Sequence, residues 1–368
     1  MIGNNMKTML SKYLFALSGL ILILIISLYF SGNTAITGST LILFFLILAL
    51  AMRSTRNLKG FSFTILIFAA VSLSIFYPQP FVELGGFQLK KLIVPLLQII
   101  MFGMGTAMSF NDFYGVIKMP KGVLAGLVCQ FSIMPFLGFI LATLFNFPAE
   151  IAAGVVLIGS SPSGLASNVM AYLAKANVAL SVTLTAVATI VAPFITPLLM
   201  KYFAGAFVPI DFLAMMISIF KMVILPVVLG LVFNHFFHGR AKWLNKAMPI
   251  VSMAAIALII VIITAAGRDS LLSIGILLVV AAIIHNLLGY LFGYWGCRLL
   301  KMKEQDCRTI ALEVGMQNGG LASGIALEMG KVSTVGLAPA VFGPWMNISG
   351  SSLASWWRDK NPEKNHNF

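Results

Sequence analysis

The sequence predicts an all-α polytopic membrane protein, and three observations carry that prediction. Sixty per cent of the 368 residues are hydrophobic and 10% are charged, whereas a soluble domain has about 25% charged residues and about 45–50% apolar ones. Stretches such as 20–30, 122–145 and 250–266 contain no charged residue, and a helix crossing the hydrocarbon needs roughly 20 mostly apolar residues. The basic residues fall in short clusters between such runs: Arg53, Arg56 and Lys59; Arg240, Lys242 and Lys246; Arg298, Lys301, Lys303 and Arg308; Arg358, Lys360 and Lys364. The net charge of +13 is therefore a topology signal rather than a nucleic-acid footprint, which would gather on one face.

Polar, proline and glycine punctuation divides the chain into spans. Two leading ones, about 13–30 and 39–52, form a hairpin within residues 1–59. Lys7 and Lys12 ahead of Tyr13–Phe30 imitate a secretory leader. The apolar run is long for one, no clean small-residue cleavage site follows, and a second run begins near Thr40. No ionisable or amide side chain interrupts either run, so the hairpin is read as peripheral to function. Ten further spans are expected at about 61–77, 89–108, 121–145, 149–174, 177–201, 213–236, 247–266, 270–298, 307–330 and 334–357.

An even number of crossings puts both termini on one side. With the N-terminus inside, 18 of the 24 Lys and Arg lie at inner ends and five at outer ends (Lys90, Lys91, Lys201, Arg268 and Lys331), with Lys221 inside a span. Both tails are thus expected in the cytoplasm, with the chain in the plasma membrane. Trp356 and Trp357 read as an interfacial anchor, and residues 358–368 as a polar tail. Cys129, Cys297 and Cys307 lie in or beside apolar spans and read as small apolar filler.

A repeat then locates a site. Gly164-Leu165-Ala166-Ser167 recurs as Gly320-Leu321-Ala322-Ser323, 156 residues later, and the same offset pairs Gly159 with Gly315 and Lys175 with Lys331. The copies are five spans apart, so they run in opposite directions through the membrane. This predicts an inverted five-plus-five repeat, residues 60–204 and 210–357, with its site near the midplane. Both copies carry helix breakers in mid-span, Ser160-Ser161-Pro162-Ser163-Gly164 and Gly315-Met316-Gln317-Asn318-Gly319-Gly320. Non-helical backbone at that depth is tolerated only where it is buried in protein or lines a cavity.

Glu313 lies one turn before the second break, with no Lys or Arg nearby in its span. A carboxylate at that depth costs about 2.5–3.5 kcal/mol on insertion scales. It needs a cation, or a proton with neighbouring hydroxyls. Freed carbonyls and Gln317 favour the cation, and hard oxygen donors suit sodium. Ser167 and Asn168 follow the first break; Ser181 and Thr185, four residues apart, share a helical face. Alone, such hydroxyls also satisfy their own helix carbonyls. Gln130 is a buried amide, and Asn286 stands at the same 156-residue offset from it.

The runs Ser167-Asn168-Val169-Met170, Asn177-Val178-Ala179-Leu180-Ser181 and Glu313-Val314-Gly315-Met316-Gln317-Asn318, with the ending Asn347-Ile348-Ser349-Gly350-Ser351, resemble the bile acid:sodium symporter family over about residues 60–357. The resemblance implies ten core helices in two subdomains, two crossed broken helices and two sodium ions. It implies one sodium site at Ser167, Asn168, Ser181, Thr185 and Glu313. The other would be Gln130, Glu313, Val314, Met316 and Gln317, with Val314 and Met316 acting through their carbonyls. Asn318, Leu165, Met346 and Asn347 fall at the family's substrate cavity. Leu165 stands where a threonine is common and Met346 where a histidine is. These departures leave the ion ligands intact and count against a steroidal substrate.

The function expected is sodium-coupled symport of an organic anion, either bile acid-like or a small carboxylate such as pantoate. A sodium-independent efflux carrier, a passive channel and a membrane-embedded enzyme are the rivals. The enzyme would require a nucleophile–base pair or a metal set, and neither is apparent. Gly330-Lys331 is no phosphate loop: five residues separate Gly324 from Gly330 where four are needed, and Val332 follows the lysine. His285 reads as a packing histidine.

Overall fold

The computed structural model describes residues 2–32, 34–55, 58–237 and 242–360. Among them eight helices are long and apolar enough to cross a membrane, so the chain is an all-α multi-pass membrane protein. By contacts it forms two units: residues up to Leu89 with Ile260–Arg268, and Lys90–Ile259 with Asp269–Phe368.

The first unit contains α1 (Ile2–Phe30), α2 (Thr34–Ser54) and α3 (Ser62–Phe76). Small residues set the packing of α2 on α3: Gly38 abuts the Phe76 ring so closely that a Cβ there would fall 2.4 Å from it. The Phe45 and Phe68 rings meet at 5.8 Å. Ser74 and Thr264 share a buried hydroxyl contact of 2.6 Å, and Arg268 Nε donates to the Ile75 carbonyl at the end of α3. A short α4 (Gln79–Val82) leads into a hairpin of β1 (Glu83–Leu84) and β2 (Phe87–Gln88). Its turn residues Gly85 and Gly86 have φ of +57° and +83°, the left-handed backbone that a two-residue hairpin turn requires.

The second unit contains α5 (Ile93–Thr106), α6 (Phe110–Lys118), α7 (Pro120–Leu144), α8 (Ala149–Ser160), α9 (Ala166–Leu173), α10 (Val178–Phe203), α11 (Phe212–Ile219), α12 (Leu225–Phe237) and most of α13 (Lys242–Ala266). It continues through α14 (Arg268–Leu299), α15 (Glu304–Gly315), α16 (Gly319–Glu328) and α17 (Leu337–Arg358). The expected spans 149–174 and 307–330 are each cut in two, at residues 161–165 and 316–318. The first cut falls at Pro162, which lacks the N–H that a helix needs. Adding the 156-residue offset to the bounds of α8, α9 and α10 reproduces those of α15, α16 and α17 to within three residues.

Two features depart from the expected spans. Helix α6 follows α5, too short to cross. Ser109 and Asp112 start it with a reciprocal capping box, which satisfies two otherwise unpaired N–H groups. The span 212–237 carries a π-helical turn, Phe220–Ile224. Lys221 sits on that turn, and its carbonyl accepts from Gln98 Nε2 at 3.4 Å.

Apolar contacts join α7, α10, α14 and α15 through Val123, Met134, Leu137, Leu180, Leu184, Cys297, Cys307, Ile310 and Val314. Helices α5 and α12 cross through glycine. A Cβ on Gly105 would lie 2.1 Å from the Val227 carbonyl oxygen, and one on Gly230 2.2 Å from that of Phe102. Lipid is as apolar as leucine, so close backbone approach is what such a crossing gains from small residues. Gly230→Val should therefore destabilise the folded protein in detergent by about 2 kcal/mol or more. Gly205→Val, at a site with no atom within 4 Å of an added Cβ, should change stability by less than about 0.5 kcal/mol. Thermal unfolding of the two variants measures the difference.

Candidate functional site

The two interruptions meet each other. Gly164 N donates to Met316 O at 2.9 Å and Asn318 N donates to Pro162 O at 2.8 Å, with Ser163 opposite Gln317 in an antiparallel bridge. Each break thus satisfies backbone groups that the other leaves unpaired, as buried polar backbone must be. Gly164 makes this approach close, since a Cβ there would sit 3.1 Å from Gln317 O.

An amide from the preceding long helix supports each break. Gln130 Nε2, on α7, donates to Ser161 O at 2.9 Å. Asn286 Nδ2, on α14, donates to Gly315 O at 2.7 Å and is held by Ser349 Oγ at 2.6 Å. The two amides that the 156-residue offset pairs thus do matching work. Thr196 Oγ1 donates to Ser160 O at 2.8 Å.

Glu313 ends α15 beside this crossing and is 2% exposed. Among the described residues no Lys, Arg or His forms an ion pair with it. Instead Ser167, Asn168, Ser181 and Thr185 gather around it from α9 and α10. Ser167 Oγ lies 2.6 Å from Glu313 Oε1 and 2.7 Å from Gly164 O. Ser181 Oγ lies 2.5 Å from Glu313 Oε1 and 2.8 Å from Asn168 Oδ1. Thr185 Oγ1 lies 2.9 Å from Glu313 Oε2 and 3.1 Å from Asn168 Oδ1.

These are six short oxygen–oxygen contacts served by three hydroxyl protons. A hydroxyl donates once; the Asn168 amide, turned so that its nitrogen faces Ser181 and Thr185, supplies two further protons, and the remaining contact calls for a protonated Glu313 or a cation. A buried ionised carboxylate ringed by neutral oxygens is electrostatically complementary to a cation.

A second group of oxygens lies on the other side of Glu313 in sequence. Gln317 Nε2 donates to Val314 O at 2.5 Å, and Gln317 Oε1 accepts from Gln130 Nε2 at 2.6 Å. With its nitrogen facing two oxygens, the Gln130 amide cannot be turned over without setting oxygen against oxygen. Its Oε1 is then buried with no hydrogen-bond partner. Met316 O accepts the Gly164 N–H, and a carbonyl has room for a second partner.

The residues expected at the substrate are divided. Asn318 Oδ1 caps α16 by accepting from Leu321 N at 3.0 Å, which leaves its amide nitrogen for other contacts. Leu165 precedes α9 and is half-buried, as is Asn347 on α17. Met346 is 3% exposed, with Sδ facing the Gln317 N–H at 3.2 Å, so it packs beneath the second break.

Arg308 was not singled out by the sequence. It is fully buried and ion-paired with Glu304 at 2.9 Å. It donates to Ala174 O at 3.2 Å and Trp357 O at 3.1 Å, tying α15 to the C-terminal ends of α9 and α17. The i, i+4 spacing of Glu304 and Arg308 was the available signal. Trp356 is 56% exposed, but Trp357 is 6% exposed and lies under the Arg308 guanidinium. Only Trp356 therefore has the exposure of an interfacial anchor. His285 packs on Phe342, with Nε2 3.0 Å from Met134 O, and Cys297 and Cys307 are buried in the apolar core.

Comparison with known proteins points to one family. A model of the sodium bile acid symporter family matches residues 94–274. The chain is 38% identical over 314 residues to an uncharacterized sodium-dependent transporter, YocS, of Bacillus subtilis, covering 85% of this chain and 96% of that one. It is 35% identical over 268 residues to a probable chloroplastic sodium/metabolite cotransporter, BASS1, of Arabidopsis thaliana, covering 73% and 67%. A rice protein of the same description is 34% identical over 275 residues, covering 73% of this chain and 68% of its own length. The extent and identity of these matches place the chain in the sodium bile acid symporter family.

Proposed function

We propose that this protein is a symporter that couples sodium entry to uptake of a small organic anion by alternating access. One observation carries the reading: a buried carboxylate that pairs with no Lys, Arg or His among the described residues, ringed by the neutral oxygens of Ser167, Ser181 and Thr185. The relatives named as sodium-dependent transporters and sodium/metabolite cotransporters support the choice of ion.

One ion would lie among Ser167, Asn168, Ser181, Thr185 and Glu313. The other would engage Gln130 Oε1, Glu313, the carbonyls of Val314 and Met316, and Gln317. The unpartnered Gln130 oxygen supports the second assignment. Residues 60–204 and 210–357 would act as inverted repeats around this fixed centre, with the 1–59 hairpin outside the transport core and both termini in the cytoplasm.

The substrate would sit at the crossing, against Asn318, Leu165, Met346 and Asn347. Half-helices α9 and α16 both begin there, and helix N-termini carry about half a positive charge. Their convergence favours an anionic group. Leu165 and Met346 are uncharged and make no demand for a steroid nucleus, so a small carboxylate such as pantoate fits the family's departures here. Glu313 with two sodium ions leaves the centre at about +1, which a monoanion neutralises.

Glu313→Gln should reduce sodium-driven uptake in proteoliposomes by more than about 100-fold while the protein still folds and inserts; normal sodium dependence would sink the assignment. Ser181→Ala and Thr185→Val each remove one neutral ligand, worth about 1 kcal/mol. Each should raise the sodium concentration for half-maximal uptake about fivefold with little change in maximal rate, and unchanged titrations would make these hydroxyls back-bonded helix residues only. Two sodium ions entering with one monoanion carry one net charge. An inside-negative potential should then stimulate uptake by about 2.3 kcal/mol of driving force per 100 mV, and indifference to the potential would contradict that stoichiometry.

A further inference from the structure

We infer that Asn177 and Thr309 form a positioning clamp that sets the sodium affinity of the Glu313 cluster, an inference that rests on the sodium reading above. Asn177 is the N-cap of α10, its Oδ1 accepting from Leu180 N at 3.1 Å. Its Nδ2 donates to Asp306 Oδ1, in the first turn of α15, at 2.8 Å. Its backbone N–H donates to Thr309 Oγ1 at 2.9 Å, and Thr309 Oγ1 lies 3.1 Å from Asn177 O. Every polar group of Asn177 is thus engaged, and all but the capping oxygen and its helical bond reach α15. Thr309 is fully buried.

The spacing gives these contacts their consequence. Ser181 follows Asn177 by four residues on α10, and Glu313 follows Thr309 by four on α15, so each lies one turn further along the same helix face. Thr185 is one turn beyond Ser181. The clamp therefore fixes the register of two neighbouring helices one turn below the point where their oxygens approach to 2.5 Å.

Around the clamp and the Glu313 cluster the two helices share an apolar core that includes Leu180, Leu184, Ile310 and Val314. Apolar contact is non-directional and tolerates small sliding. A slip of one residue moves a helix by about 1.5 Å, enough to separate hydroxyls from carboxylate. Directional hydrogen bonds at Asn177 and Thr309 are what resist that slip. The Asn177 and Thr309 side chains make no hydrogen bond to the cluster's side-chain oxygens, so they act through Ser181, Thr185 and Glu313.

The test is a sodium titration of the thermal stability of the purified full-length chain in detergent, at ionic strength held constant with potassium. Thr309→Val keeps the shape and removes the hydroxyl. Asn177→Ser keeps a cap oxygen and removes the amide donor. Both should move the sodium midpoint up about tenfold, the factor given by losing a cap-strength interaction, and Thr309→Ser should return it to within about twofold of wild type. Wild-type midpoints in Thr309→Val and Asn177→Ser, whatever happens to the sodium-free melting temperature, would overturn the clamp. A wild-type protein whose stability ignores sodium would instead overturn the sodium reading beneath it. If Thr309→Val fails to fold, Asn177→Ser and its midpoint decide the question alone.

Discussion

Backbone N–H and C=O groups buried in hydrocarbon must find partners within the protein, and in this chain two helices are interrupted at a crossing where Ser161, Ser163, Met316 and Gln317 are buried. The solution is mutual. Pro162 and Met316 offer their carbonyls to Asn318 and Gly164 across the crossing, while Gln130 and Asn286 reach in from flanking helices to Ser161 and Gly315. Remove either break and the other is left with unpaired groups, each costing several kcal/mol in lipid. The glycines, the proline and the two amides are therefore parts of one arrangement.

That arrangement also determines what Glu313 can do. Held near the end of α15, the carboxylate meets hydroxyls from α9, which begins at the crossing, and from the first two turns of α10. The cluster sets neutral oxygens around that carboxylate and, among the described residues, holds no fixed cation. On the proposed sodium-coupled reading, ion and anion would meet at one point, because broken helices expose carbonyls on one side of the gap and N-terminal amides on the other.

Much of this was legible in residues. Pro162 and the Gly315–Gly320 run mark the two breaks, because their backbone chemistry is local. Glu313 stands out as a carboxylate without a neighbouring cation, and the four-residue spacing of Ser181 and Thr185 sets them on one face. What escaped notice depends on distant partners. Arg308 reads as one of a group of basic residues at an inner end until Ala174 and Trp357 are found against it. Trp357 differs from Trp356 in burial alone. Helix α6 is short and amphipathic, so it lacks the long apolar signature that announces a span, and the π-helical turn at Phe220–Ile224 leaves no mark in the hydrophobic pattern. The capping duty of Asn318 follows from where the second half-helix begins, which glycine content alone did not fix to the residue.

The central claim is that the crossing holds sodium rather than a proton. Equilibrium binding of radiolabelled sodium to the purified chain, with excess unlabelled potassium present, tests it most directly. The account predicts saturable binding approaching two ions per chain, insensitive to potassium. Absence of saturable sodium binding, or its complete displacement by potassium, would contradict it.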